Sequence, residues 1–160
     1  MLKHKIVREA YLFGYPLVTF DMTRRHETNV RMPDGAHAPV GQLVKLRAYP
    51  AVDDRGAAAP NADTLYTMAW LDLSAGPWVF NIPDMGDRFY IMPMLSGFNE
   101  VFFVAGSRAT GGKAQEYAVT GPGWVEHVVR GRLQQLQAVR CVMTNRRVSF
   151  SPLRKESDHA

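Results

Sequence analysis

The sequence predicts a mainly β protein, an antiparallel β-sandwich preceded by one α-helix. Between residues 60 and 106, four short apolar runs are separated by turn residues. Strands of this length and rhythm are typical of an antiparallel meander in a sandwich or open barrel. Near the N-terminus the apolar residues recur at helical spacing instead. A chain of 160 residues is long enough for one domain with a hydrophobic core.

The predicted helix covers residues 3–24. Its apolar residues recur every three or four positions, as in an amphipathic helix. Gly14 and Pro16 lie inside it, which predicts a kink or an early stop near Phe13. The apolar positions are Ile6, Ala10, Phe13, Leu17 and Phe20.

A long surface loop is predicted from Met32 to Pro60, where Gly, Ala, Pro and Asp are frequent. Only one short strand is expected in it, at residues 43–46. A loop of this length in a compact domain is usually functional or held by its neighbours.

The meander is predicted to consist of strands at residues 64–73, 78–82, 88–95, 98–104 and 117–120. The first of these carries large apolar side chains on both faces, so one face should pack on a second sheet and the other on the helix or a partner. Strand alternation predicts a core. Its members would be Leu65, Ala69, Leu71, Phe89, Ile91, Phe102 and Val104.

The net charge of +4 is confined to the C-terminal segment. Residues 1–124 carry 12 Lys and Arg against 12 Asp and Glu, and residues 125–160 carry 7 against 3. The basic segment has no interleaved aromatic residues that would stack on bases. Nucleic acid is therefore not a predicted partner.

No apolar run approaches the roughly 20 residues that a membrane span needs. The N-terminus lacks the long apolar core of a secretory signal, which predicts a cytoplasmic protein, with export as the alternative if the N-terminus is truncated. Cys141 is the one cysteine, which excludes an internal disulfide and a zinc site built from cysteines.

Several motifs in fixed order resemble the bacterial domain of unknown function 1254 family. They are AYLFGYP at residues 10–16, PNADTLY at 60–66, LDL at 71–73, the segment 83–90 ending in DRFY, GSRATG at 106–111 and GPGW at 121–124. The resemblance implies a jelly-roll-like β-sandwich over residues 1–124. It also implies a second β-rich domain as a partner, outside this chain, and no established reaction.

Residues 125–160 depart from the family pattern after Trp124. One interpretation is a divergent C-terminal helix at residues 126–139. The other is a shifted reading frame or a truncated gene, which would leave a fragment with a poorly packed tail. The sequence thus predicts a division into a domain, 1–124, and a divergent basic tail, 125–160.

Polar residues next to the predicted strands are candidate ligands for a small molecule. Asn61 and Asp63 enter the first strand, where Asx turns are the competing structural explanation. Arg88 is predicted on one strand face with Tyr90, and an ion pair is the competing role for its guanidinium. The candidate set is Asn61, Asp63, Tyr66, Arg88, Tyr90 and Glu100.

Other common sites are not supported by the sequence. Residues 106–113 resemble a phosphate-binding loop, but Ser107 and Ala114 stand where the motif needs Gly and Ser or Thr, so a flexible hairpin loop is predicted. The five histidines are scattered, and no metal or cofactor is predicted.

The leading functional hypothesis is an accessory or binding β-sandwich without catalytic activity. The alternative is an enzyme acting on a small polar metabolite or sugar, through a pocket with Asp63, Arg88, Tyr90 and Glu100.

Overall fold

The computed structural model describes residues 2–49, 51, 64–121, 134–137, 140–143 and 149–152. Within these residues one helix is followed by nine strands. The elements are α1 (Leu2–Thr28), β1 (Leu43–Lys45), β2 (Thr67–Trp70), β3 (Trp78–Ile82), β4 (Ile91–Leu95), β5 (Val101–Gly106), β6 (Gln115–Thr120), β7 (Gln134–Gln137), β8 (Arg140–Met143) and β9 (Ser149–Pro152).

The strands form two sheets, which confirms the mainly β prediction. The first sheet has five strands in the order β1-β2-β8-β4-β5, and the second has four in the order β7-β6-β3-β9. Every described pairing is antiparallel except that of β6 with β7, which is parallel. The predicted strand at 78–82 matches β3, and the short strand predicted in the long loop matches β1.

The core lies between the two sheets. Phe80 and Ile82 from β3 and Met92 and Met94 from β4 are buried together in it. The rings of Phe103 in β5 and Tyr117 in β6 lie 4.9 Å apart, between the sheets. The sheets therefore pack face to face as an open sandwich, and the jelly-roll order of connections stays a prediction.

The residues that face the core in and just before β4 are the opposite of those predicted. Tyr90 is fully buried and Met92 nearly so, whereas Phe89 is 57% exposed and Ile91 is also exposed. Both sets of side chains are large and apolar, so alternation alone does not identify the inner face. Phe102 is exposed as well, against prediction, and the burial of Ala69 and Leu71 is confirmed.

Helix α1 continues through Gly14 and Pro16 to Thr28, so the early stop predicted near Phe13 is wrong. Its C-terminal half packs on the first sheet, where the Phe20 and Trp70 rings lie 4.7 Å apart. The Trp70 indole Nε1 donates to Glu27 Oε2 at 2.6 Å. This confirms that the outer face of β2 packs on the N-terminal helix.

The C-terminal helix predicted at 126–139 is wrong where the structure describes that segment, because residues 134–137 form β7. β8 lies inside the first sheet, paired with both β2 and β4, and β9 pairs with β3. Long-range pairing to strands far away in the chain determines these strands, and local sequence does not show it. The division at residue 124 and the frame-shifted origin of the tail stay predictions.

Replacing Phe80 by alanine should destabilise the fold strongly. Phe80 is fully buried and its ring stacks on Phe150 at 4.7 Å. We expect the free energy of unfolding to fall by about 3–5 kcal/mol, measured by urea denaturation. Phe89→Ala is the matched control, with an expected loss below about 1 kcal/mol because the ring is mostly exposed. Equal losses for the two variants would contradict the assignment of the inner face.

A proline in β8 tests whether the C-terminal strands belong to the native sheet. Val142 pairs with Met68 in the interior of the first sheet, where proline removes a ladder hydrogen bond. We expect Val142→Pro to cost at least about 1–3 kcal/mol, or to prevent cooperative thermal unfolding. Ser149→Pro, at the first residue of the edge strand β9, should be tolerated. If Val142→Pro were equally harmless, the poorly packed tail would be the better description.

Candidate functional site

Of the three predicted ligand residues that precede β2 in the sequence, the structure describes Tyr66. Asn61 and Asp63 are outside the described residues, so their turn and ligand roles stay predictions. Tyr66 is half-buried, and its carbonyl oxygen accepts a hydrogen bond from the Leu46 amide at 2.9 Å. The backbone at Tyr66 thus helps to hold the long loop against β2.

The structure does not bring Arg88, Tyr90 and Glu100 together. Arg88 is exposed just before β4, and no ion pair joins it to another described residue, so the expected structural ion pair is not found there. Tyr90 is buried, and therefore does not share a solvent-facing surface with Arg88. Glu100 is exposed at the opposite end of the β4–β5 hairpin, because Leu95 pairs with Val101. Ligand binding by this set stays a prediction.

A cavity of about 910 Å³ opens where β3 ends and β6 begins. Its volume is within the range of small-molecule sites in proteins. The walls come from the end of β3, from the segment between β5 and β6, from the beginning of β6 and from β9. The lining residues are Asn81, Ile82, Pro83, Ala109, Thr110, Ala114, Gln115, Glu116, Tyr117 and Ser149.

A row of three polar residues crosses the second sheet at this cavity. Asn81 in β3 pairs with Glu116 in β6 on one side and with Ser149 in β9 on the other. Directly opposed residues in adjacent strands project from the same face, so the three side chains form a continuous polar row. Among the described residues, no hydrogen bond or ion pair engages the side chains of Asn81 and Glu116. Both groups are therefore available to a ligand.

A hydrogen-bond network on the opposite face of β6 from that row supports the cavity wall. The Gln115 amide nitrogen donates to the Thr110 carbonyl at 2.8 Å and to the Gly111 carbonyl at 3.1 Å. The Tyr117 hydroxyl donates to the Gln115 amide oxygen, and the Tyr90 hydroxyl donates to the Gly111 carbonyl at 2.5 Å. Tyr90 thus holds the cavity wall from the core side. A network with its donors and acceptors paired keeps the wall rigid before any ligand arrives.

Burial raises the pKa of the Tyr117 hydroxyl above its ordinary value. The side-chain hydrogen bond with Thr110 lowers that pKa and the nearby Tyr90 raises it, and burial is the largest influence. The phenol is therefore protonated at neutral pH and acts as a hydrogen-bond donor. It is not a base that would accept a proton from a substrate.

The segment 106–112, expected to be a flexible loop, is held in place by several contacts. The Gly106 carbonyl accepts hydrogen bonds from three following amides, and the Met85 amide donates to the Gly112 carbonyl at 2.7 Å. A side chain at Gly112 would lie only 2.3 Å from the Gly86 carbonyl oxygen, so glycine is required there. This close packing fixes Thr110 beside the cavity.

The cavity residues Asn81, Gln115 and Glu116 are not among the site residues that the sequence predicts. A signal was present in β3, where Asn81 stands between the apolar Phe80 and Ile82 and so belongs on the opposite face. It was not used because β6 was predicted to begin only at residue 117. Without Gln115 and Glu116 in a strand, nothing placed a partner beside Asn81.

Two kinds of feature are absent from the part of the chain that the structure describes. No three His, Cys, Asp or Glu side chains there lie close enough together to hold a metal ion. No helix there combines the length and the apolar character that crossing a membrane requires.

Comparison with known proteins identifies a family and a structural neighbour. A family model described as "Protein of unknown function (DUF1254)" matches residues 40–149, which extends beyond the predicted end of the resemblance at Trp124. No functionally curated protein matches the chain.

The crystal structure of the VPA0106 protein from Vibrio parahaemolyticus is similar in fold, with a TM-score of 0.65 and 16% sequence identity. The match covers 92% of this chain and only 41% of the Vibrio chain.

Removing the Tyr117 hydroxyl should change the response of the protein to alkali. Folding raises the pKa of Tyr117, so the protonated phenol stabilises the folded state. This stabilisation is fully present below the pKa of about 10 that tyrosine has in the unfolded chain, and it is lost as the pH rises through the pKa of the folded state. We expect the free energy of unfolding of Tyr117→Phe to be about 0.5–1.5 kcal/mol lower than that of the parent at neutral pH. At high pH it should fall less steeply than the free energy of unfolding of the parent.

The measurement is urea denaturation at a series of pH values, with the tyrosinate absorbance followed in parallel. Tyr49→Phe is the control, because it removes the same hydroxyl group from a side chain that is more than half exposed. If the free energy of unfolding of Tyr117→Phe fell with rising pH as steeply as that of the parent, burial would not be what raises the pKa of Tyr117.

Proposed function

The chain belongs to the DUF1254 family, a family of unknown function, and we propose that it is a binding domain for a neutral, polyhydroxylated small molecule. The proposed site is the cavity at the end of the second sheet. The observation that carries the proposal is the row of Glu116, Asn81 and Ser149, whose first two side chains lack partners among the described residues.

The chemistry of the row suits the hydroxyl groups of a sugar or polyol. A carboxylate accepts hydrogen bonds, an amide both donates and accepts, and a hydroxyl does either. A ligand with several adjacent hydroxyl groups satisfies all three at once. Neutral ligands are favoured over anions because Glu116 is charged and none of the described lining residues is a Lys or Arg.

Binding is favoured over catalysis by the number of acidic groups in the wall. Glycoside hydrolysis normally requires two carboxylates that flank the scissile bond. Among the described lining residues only Glu116 is acidic, and Tyr117 is held in its protonated form. The site therefore supports recognition of a hydroxylated ligand without bond cleavage.

A second β-rich domain is part of the proposal. The Vibrio structure supports it, because this chain matches less than half of that longer chain. A cytoplasmic location is likewise proposed, on the basis that the chain has a single cysteine and no disulfide.

Ligand-detected NMR with a panel of sugars would test the site. The panel consists of glucose, galactose, xylose and myo-inositol, together with glucuronate and galacturonate, the charged counterparts of the first two. We expect at least one neutral compound to bind, and each uronate to bind more weakly than its parent sugar because Glu116 repels it. If no neutral sugar or polyol binds, or if uronates bind best, the proposal is wrong.

Variants would locate the binding within the cavity. Asn81→Ala should weaken binding about 10-fold, as expected for the loss of one or two hydrogen bonds to the ligand. Glu116→Gln should reduce the difference in binding affinity between a neutral sugar and its uronate. Asn29→Ala is the matched control, since Asn29 is exposed just after α1 and should leave affinity unchanged. Equal effects of Asn81→Ala and Asn29→Ala would place the ligand elsewhere.

A further inference from the structure

The polar row at the cavity is longer than a single sugar ring. Ser149, Asn81 and Glu116 belong to the neighbouring strands β9, β3 and β6, and each residue is directly opposite the next. Adjacent strands lie about 4.8 Å apart, so the row extends roughly 10 Å between its end residues. One pyranose ring is about as wide as the separation of two adjacent strands. The row therefore has the length of two sugar units joined in line.

The row is narrow at β6, which determines the direction in which a ligand lies. Glu116 is exposed, whereas Ala118, two residues further along the same face of β6, is fully buried. On its other side the row is close to the end of the sheet, because β3 ends at Ile82 and β6 begins at Gln115. A ligand that reaches Glu116 therefore extends from there across the strands and not along them.

The row is open where it meets the edge of the sheet. β9 is an edge strand of the second sheet, and Ser149 on it is exposed. A ligand longer than the row can therefore continue past β9 into solvent. The cavity volume of about 910 Å³ is near the upper end of the range for small-molecule sites, and one monosaccharide fills only a small part of it.

The three polar groups lie along one line, and this differs from a pocket that encloses a single ring. In such a pocket the polar groups converge on the ring from several directions. Here a single ring in contact with Glu116 reaches Asn81, one strand away, but does not reach Ser149, two strands away. A ligand that uses the whole row needs a second ring.

We propose that the ligand of this site is a linear oligosaccharide of at least two units, which lies across β6, β3 and β9. This inference rests on the proposed binding function and specifies the class of ligand within it. One unit contacts Glu116 and Asn81, and the next contacts Asn81 and Ser149. Asn81 serves both units because its amide group has two N–H donors and an acceptor oxygen.

Calorimetric titration of the whole chain with sugars of increasing length would test the inference. The probes are glucose with maltose and cellobiose, galactose with galactobiose, and xylose with xylobiose and xylotriose. We expect a disaccharide to bind at least about 10-fold more tightly than its monosaccharide, because it adds hydrogen bonds in the second half of the row. A third unit should add little, since it lies beyond the edge of the sheet.

A variant at the edge strand would distinguish the two halves of the row. A disaccharide uses both halves, so Ser149→Ala should weaken its binding several-fold. A monosaccharide can occupy the other half, so the same variant should change its affinity little. Ser151→Ala is the matched control, because Ser151 lies on the same face of β9 but pairs with Val79, outside the row.

The outcomes separate this inference from the proposed function. A monosaccharide that binds as tightly as its disaccharides, or binding of myo-inositol alone, would overturn the inference and leave the proposed binding function standing. Equal effects of Ser149→Ala and Ser151→Ala on disaccharide binding would also overturn it. If no saccharide of any length and no polyol binds, the inference and the proposed function are both wrong.

Discussion

The burial of the Trp70 indole is the constraint on which the arrangement of this domain depends. A buried indole must give its N–H to an acceptor, and here that acceptor is Glu27 on α1. The backbone of Trp70 pairs with Arg140 of β8, and the Trp70 carbonyl accepts a hydrogen bond from the Gly41 amide at 2.7 Å. One residue therefore joins the helix, the long loop and the C-terminal strand. The orientation of α1 on the first sheet follows from this junction.

Local pattern was sufficient to predict the strands whose signal lies within a few residues. β3 is flanked by turn residues and its apolar run ends where the strand ends, and β1 follows the turn at Gly41. The pattern was insufficient where both faces of a strand are apolar, as in Ile91–Leu95, because either set of side chains could form the core. It was also insufficient for β8, whose position depends on partners in β2 and β4 far away in the chain.

The candidate cavity could not be predicted for a related reason. Its polar row exists only when β3 lies between β6 and β9, so that Asn81 meets both Glu116 and Ser149. Glu116 and Ser149 do not stand out in the sequence, and the signal at Asn81 indicates only an outward face, because single polar residues in strands are common on solvent-facing surfaces. Tyr90, one of the predicted ligand residues, is buried in the core, and its hydroxyl supports the cavity wall. Its burial follows from which face of β4 points inward.

The position of β8 has a consequence for how the protein is made. The first sheet consists of two hairpin-like halves, β1-β2 and β4-β5, and β8 is the strand that lies between them. A ribosome synthesises both halves long before residue 143 leaves the exit tunnel. Until then β2 and β4 each present an open edge, where a nascent chain can pair with the wrong strand. Completion of the sheet must wait for β8, which is separated from β5 along the chain by β6 and β7, so folding is governed by a late, long-range pairing and should be slow.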